Sequence, residues 1–338
     1  MKFHHSLLLF FCGVLLCSCQ KELSHIPLPQ PQQVDVYLAG TASGFASYWK
    51  NGILTNLPGG TTRSWANSIV VSGNNVYVAG GADTIIGGYG GTLVKYWKNG
   101  KSVNLTDGST IIADATSIAI SGNDVYVAGY DDPGFNGVAV YWKNGVRVDL
   151  TDQSNFAMAF SIAVSANNVY VAGLEESPSG INNYRATYWK NGVPVRLGNG
   201  LGNSYLSSLV ISGSDVYTTG LEDSSPKYWK NNTGVPLSYP LTSFYPDATS
   251  IAISGSDVYV AGYDGYQSSH SIAKYWKNGS SVILTDGSMD AKATAIAVSG
   301  NDVYVAGYEG DMAKYWKNGK PINLGTHASA TSLFVSVH

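Results

Sequence analysis

Seven copies of one short string constrain this chain more than any other feature. Tyr-Trp-Lys-Asn begins at Tyr48, Tyr96, Tyr141, Tyr188, Tyr228, Tyr275 and Tyr315, and glycine follows in every copy except at Asn232. A second string, of type Asp-Val-Tyr-Val-Ala-Gly, places its tyrosine at Tyr37, Tyr77, Tyr126, Tyr170, Tyr217, Tyr259 and Tyr304, spaced 40 to 49 residues apart. A third, of type Ala-Thr-Ser-Ile-Ala-Ile-Ser, has its aliphatic residue at Ile69, Ile118, Ile162, Leu209, Ile251, Ile296 and Leu333. Three strings recurring together at one period mean one supersecondary unit repeated seven times.

The unit reads as four short strands, A to D. In the copy from Ala115, strand A is Thr116 to Ile120, strand B Val125 to Ala128, strand C Val138 to Trp142 and strand D Val146 to Leu150. Asn144-Gly145 between C and D is a hairpin signal, because both central positions of a type I′ turn need positive φ. A four-stranded unit of about 45 residues is the mark of a β-propeller blade. Strand A, rich in Ala, Ser and Thr, suits the crowded axis. Tyr and Trp of strand C point to opposite faces and meet the two neighbouring blades.

The order of the strands predicts how the ring closes. The first unit starts at strand B (Val34 to Ala39) with no A before it, and the last is followed by an extra A from Ala330 to Val337. The C-terminal strand is therefore expected to complete the N-terminal blade, giving an all-β, seven-bladed propeller of 28 antiparallel strands over residues 34–338. Closure removes the exposed sheet edges that template aggregation.

The alternation of a Trp-bearing strand, an aliphatic strand, a Gly turn and a small-residue strand resembles the broad WD40-like class, although here Lys-Asn, and not Asp, follows the repeated Trp. The Trp-x-Asn-Gly, Leu-ending strand and Ala-x-x-Ile strand are similar to the extracellular bacterial repeats of the HAF family. The His-Ala-Phe of that family is absent, replaced by pieces such as Val94-Lys95-Tyr96-Trp97. The resemblance implies architecture and no particular activity.

The N-terminus reads as an address. Lys2 precedes an apolar run from Leu7 through Leu16, too short to span a bilayer as a mature helix. Leu16-Cys17-Ser18-Cys19 resembles the lipobox of bacterial lipoproteins, which implies a signal peptide over 1–18, lipidation of Cys19 and attachment to the cell envelope by acyl chains. Gln20-Lys21-Glu22 resembles the short signal that sends lipoproteins of Bacteroidota to the cell surface. Residues 19–33, with prolines and glutamines and no hydrophobic period, read as a tether. The expected location is the bacterial cell envelope, at the outer membrane and facing the surface.

Composition excludes several functions. Lys and Arg number 20 against 23 Asp and Glu, and removing residues 1–18 takes away only Lys2, leaving 19 − 23 = −4. No basic face for nucleic acid is visible. The three cysteines, Cys12, Cys17 and Cys19, all lie in the leader region, so the folded part has no disulfide and no thiol nucleophile.

The short A–B and C–D turns belong to one end of the disc, and the variable B–C and D–A loops to the other. Variable loops on a rigid scaffold are where binding resides. Just after strand B, five units place acids: Asp131 and Asp132, Glu175 and Glu176, Glu222 and Asp223, Asp264, and Glu309. Brought round a ring they would form a negative rim. Tyr266 and the other loop aromatics Tyr89, Phe135, Tyr184, Tyr205 and Tyr245 offer stacking surface for a sugar ring or a protein partner. The Thr-Asp-Gly-Ser strings at Thr106 and Thr285 read as turn formers. Asp83-Thr84-Ile85, in the longest B–C connection, resembles a Bacteroidota O-glycosylation sequon at Thr84.

No Gly-x-Ser-x-Gly elbow, His-Glu-x-x-His helix or phosphate-binding Gly-x-x-x-x-Gly-Lys-Ser/Thr loop is present. No EF-hand-like spacing occurs, and neither metal nor cofactor is expected. His270, Asp131 and Glu175 are the available catalytic candidates, without a recognisable arrangement. The reading is a monomeric, lipid-anchored propeller that binds a glycan or protein through its loop face without catalysis. The alternative is a hydrolase or lyase of the same fold acting on a glycan or lactone. A chemically distinct polar cluster near the axis would favour the enzyme, and an aromatic loop patch the binder.

Overall fold

A computed structural model describes residues 33–59, 63–132, 136–178, 183–198, 202–240, 246–265 and 270–338. These residues carry 28 strands in seven four-stranded antiparallel sheets, within one compact unit spanning Val34–His338. The first sheet has the order Ala328–Val337, Val34–Ala42, Phe45–Lys50, Ile53–Asn56, so the C-terminal strand is strand A of blade 1, paired from Val34↔Val337 to Ala42↔Ala328. Blades 2 to 7 follow over 64–104, 112–149, 157–196, 204–236, 247–283 and 291–326. Each innermost strand A touches the next, and that of blade 7 touches that of blade 1. The predicted closure is present.

Burial follows the repeat. The seven strand C tryptophans are 0 to 2% exposed, each packed at a blade interface, as Trp97 is among Tyr37, Ala39 and Leu57 of blade 1 and Ile69 of its own blade. The Ser-Ile pairs of strand A tie neighbours together: the N–H of Ile118 donates to Ser68 Oγ, Ile162 to Ser117, Leu209 to Ser161 and Ile296 to Ser250.

Every A–B pairing carries a β-bulge at one position, between Ala115 and Ser117 in blade 3 and its equivalents elsewhere. The bulged residue is threonine in four blades, and its Oγ1 donates both to strand B of its own blade and to strand A of the next. Thr116 reaches Ala128 O and Ala159 O, Thr249 reaches Ala261 O and Ala293 O, and Thr331 reaches Ala39 O and Ala66 O. The bulge also explains the glycine after Val-Ala on strand B. A Cβ on Gly262 would stand 2.0 Å from Asp247 O. That glycine serves strand contact, whereas the Asn-Gly glycines serve turns with positive φ (Asn144 53°, Gly145 83°).

The uniform end of the disc is built from the Tyr-Trp-Lys-Asn string. Asn144 Oδ1 accepts from Val125 N while its Nδ2 donates to Asp124, and the same bridge recurs from Asn51 to Asp35 and from Asn278 to Asp257. The lysine beside it pairs with that aspartate and lies over the strand B tyrosine, as Lys277 does with Asp257 at 2.8 Å and Tyr259 at 5.2 Å. Lys50 and Asn51 hold the Asp35 carboxyl down at about 2. The repeat signature is thus a staple across two turns.

Strands run further toward the variable end than the sequence suggests. Strand A of blade 3 begins at Ile112 and strand B ends at Asp132, four residues beyond Ala128 at each side of the bulge. In blade 2 the expected B–C loop is a long hairpin, Asn75–Ile86 and Tyr89–Lys98, turning at Gly87-Gly88. Thr84 is therefore a strand residue paired with Gly91.

Candidate functional site

All the acids expected as a loop rim except Asp223 lie in strand B, and the leading one of each set is matched by a cation of its own blade. Asp131 pairs with Arg147, Glu175 with Arg196, Glu222 with Lys227, Asp264 with Lys274 and Glu309 with Lys314. Asp264 and Lys274 are both almost fully enclosed, with side chains 2% and 3% exposed. Charges so deep persist only when compensated. The leading acid of each set is therefore ion-paired within its own blade. Asp132 and Glu176 end their strands, and Asp223 occupies the turn after Glu222 with φ 51°. The catalytic candidates are not brought together: Asp131 and Glu175 belong to different blades, each with its own arginine, and His270 lies before strand C of blade 6.

Blades 3 and 4 open a cavity of about 610 Å³ on the variable end. Its walls are Leu150, Thr151, Asp152 and Asn155 from the D–A connection of blade 3, with Glu175, Glu176, Pro178, Arg185, Trp189 and Arg196 of blade 4. Two residues of the expected acid set, Glu175 and Glu176, thus line it. Asp152 is fixed by a turn in which Ser154 N and Oγ donate to its carboxylate, which holds its pKa down. The related Thr106 and Thr285 segments form the same Asp-to-Ser turn, as the sequence predicts.

An indole without a partner sits in the wall of this cavity. In blades 2 and 6 the strand C tryptophan donates to the carbonyl that follows the preceding strand D leucine: Trp97 Nε1 to Pro58 O at 2.8 Å, Trp276 Nε1 to Ser238 O at 2.6 Å. Between blades 3 and 4 that residue is Thr151, whose hydroxyl turns back to accept from Ala139 N of its own blade. Trp189 Nε1 is left enclosed and unbonded, as is Trp49 Nε1 in blade 1, and both side chains are 1% exposed. Phe156 and Tyr184 stack nearby with centroids 5.6 Å apart.

A second group of polar residues lies on the first turnward position of strand A, one residue before the buried Ala or Leu. Here the otherwise alike blades carry Trp65, Asp114, Met158, Tyr205, Asp247, Lys292 and Ser329. Asp114 accepts from Trp65 Nε1 and Asn67 Nδ2, both at 2.8 Å, and burial raises its carboxyl to about 6 against those bonds. Asp247 accepts from Tyr205 Oη at 2.9 Å and Tyr263 Oη at 3.4 Å, and burial likewise raises its pKa. Lys292 Nζ lies 4.3 Å from the Tyr263 ring centroid. These residues bond across blade boundaries near the axis. None was singled out for this role from the sequence; the signal was a register position where repeat copies differ while their neighbours do not.

Of the loop aromatics, Tyr205 lies on strand A, Tyr184 packs on Phe156, and Tyr89 is 81% exposed at the blade 2 hairpin tip. Phe135, Tyr245 and Tyr266 lie outside the described residues, as does Cys19. Among the described residues no group of three or more His, Asp or Glu side chains is placed to hold a metal, and no helix is long and apolar enough to cross a membrane.

No protein-family model matches the chain, and no curated protein does. Solved structures do. The chain is similar to a triple arginine-to-alanine mutant of AofleA from Arthrobotrys oligospora, at 13% identity and TM-score 0.47 over 90% of this chain and 92% of that one. It is also similar to YjhT, at 13% identity and TM-score 0.43 over 83% and 99%. An acylaminoacyl peptidase in complex with Z-Gly-Gly-Phe-chloromethyl ketone matches at 10% identity and TM-score 0.50 over 88% of this chain and 51% of the peptidase. At 10% identity the likeness to the peptidase is one of fold alone.

Proposed function

We propose that this protein is a non-enzymatic binding propeller that takes a glycan in the cleft between blades 3 and 4, held at the cell envelope by lipid on Cys19. The carrying observation is the blade 3/4 cavity itself, about 610 Å³, whose walls bring together the carboxylates of Asp152, Glu175 and Glu176, the guanidinium groups of Arg185 and Arg196 and the amide of Asn155. Arg185, Arg196, Glu176 and Asn155 supply the donors and acceptors that a polyhydroxylated ligand needs. The lipobox and tether support the anchoring, and the variable-loop end is then free to face a ligand.

The axial residues favour a second reading. Asp114, raised to about 6, has the protonation behaviour of a general acid, and with Asp247 it is the best-placed carboxylate for hydrolysis of a glycan or lactone. Against it, both carboxylates are already engaged as staples: Asp114 accepts from Trp65 and Asn67 of blade 2, and Asp247 accepts from Tyr205 of blade 5 and from Ala248 N and Tyr263 of its own blade. A glycan array separates the two: binding lost in Arg185→Ala and kept in Asp114→Asn supports the cleft, whereas turnover of an array sugar lost in Asp114→Asn supports the enzyme.

A further inference from the structure

Blade 2 breaks a charge balance that the other blades keep. On strand C, the residue before Tyr-Trp is lysine in four blades: Lys95, Lys227, Lys274 and Lys314. In blades 5, 6 and 7 that lysine meets the strand B acid two residues after the bulge-facing glycine. Where strand C has Val140 or Thr187 instead, in blades 3 and 4, strand D supplies the cation as Arg147 or Arg196. Blade 1 has Ala42 and Ser47, neither acid nor base.

In blade 2 the lysine is kept and the acid is gone. Lys95 stands opposite Gly80 as Lys274 stands opposite Gly262, and Ala82 opposite Leu93 takes the register position of Asp264 opposite Ile272. Lys95 is 5% exposed, and its Nζ lies 5.9 Å from the Trp97 ring centroid, the same as Lys314 over Trp316. It therefore holds the position its counterparts hold. Among the described residues no carboxylate pairs with it, and burial pushes its pKa down. The following Asp83 projects from the opposite face of the strand. A buried ammonium without a counter-charge is costly and uncommon.

We propose that Lys95 is an anion site completed by the carboxylate of a ligand, which occupies the space that Asp264 fills in blade 6. A carboxylate set at the register position that Ala82 shares with Asp264 would face this one cation, as Asp264 faces Lys274. Access has a precedent in the molecule: Asp264 and Lys274 line a cavity of about 260 Å³ together with Ser238, Tyr239 and Pro240 of the preceding blade. Pro58 corresponds to Ser238, since each accepts from the tryptophan that follows the lysine. This site is separate from the blade 3/4 cleft and does not depend on the reading given for it.

Thermal unfolding of the full chain in sodium acetate, against sodium chloride at equal ionic strength, tests the assignment. Acetate at tenfold its Kd raises Tm by about 2–4 °C. Ala82→Asp builds the missing partner into the chain, so it raises Tm in chloride and abolishes the acetate shift. Lys95→Met keeps the stem, removes the charge and also abolishes the shift, which keeps the test decisive if the aspartate variant does not fold. An acetate shift that survives Lys95→Met, its absence in the unaltered protein, or a larger shift with inorganic phosphate overturns the proposal.

Discussion

Asp114 shows how one residue can be tied to the fold at a cost that depends on pH. Its carboxyl is raised to about 6 by burial, so between the unfolded value of about 3.9 and 6 the folded state binds the extra proton. Its contribution to stability is full below pH 4 and declines as pH rises through 6. Asp114→Asn, which cannot ionise, should therefore gain on the unaltered protein by up to about 3 kcal/mol between pH 4 and pH 7, read from denaturant midpoints at each pH. Asp35 runs the other way. Held at about 2 by Lys50 and Asn51, it stabilises the fold above pH 4, and that contribution disappears as the pH falls toward 2. The Asp35→Asn variant should lose less stability on acidification over that window than the unaltered protein. Such residues were hard to read beforehand because their environment comes from neighbouring blades: Trp65 and Asp114 are 49 positions apart. The staple residues were legible as a repeat, although their role as an internal salt-bridge module emerges only when Asn144, Asp124 and Lys143 are seen together.

At the level of strands, the bulge organises both the blade and its neighbour. Thr249→Val keeps the shape of the side chain but strands Ala261 O and Ala293 O, in two different blades, and should cost about 1–3 kcal/mol in chemical denaturation. Gly262→Ala places a Cβ 2.0 Å from Asp247 O and 2.8 Å from the Trp276 ring, so backbone must move; a loss of about 3 kcal/mol is expected. Gly279→Ala, in the turn of the same blade, has backbone strain but ample space and separates the two causes. Strand identity and turn type were legible because Asn-Gly chemistry and two-residue alternation are local. Strand ends at the variable face were not: Tyr130, Asp131 and Asp132 continue pairing past the bulge, and the acids look like loop residues until Arg147 and Lys274 are placed beside them. The cleft was half visible through Glu175 and Glu176. Trp189 was hidden because its sequence context is the same as that of its six counterparts, and which indoles are left unbonded, Trp49 and Trp189 among them, is decided by the connection from the preceding blade.

For the whole molecule, the ring is closed by the pairing of Ala328–Val337 with Val34–Ala42, which joins residues almost the full domain apart in sequence. Deleting residues 331–338 removes Thr331 and its bonds to blades 1 and 2 and exposes an edge, so Tm should fall sharply; an unchanged Tm would contradict closure. One end of this ring is spent on uniform staples, while the other carries the cleft, the axial residues and the hairpin. That division is the central claim, and a glycan array with the full chain tests it most directly. The account predicts a bound glycan whose signal is lost in Arg185→Ala and Asp152→Ala and kept in Lys143→Ala at the stapled end. Silence across the array, or a signal lost at Lys143 and kept in the cleft variants, would contradict it.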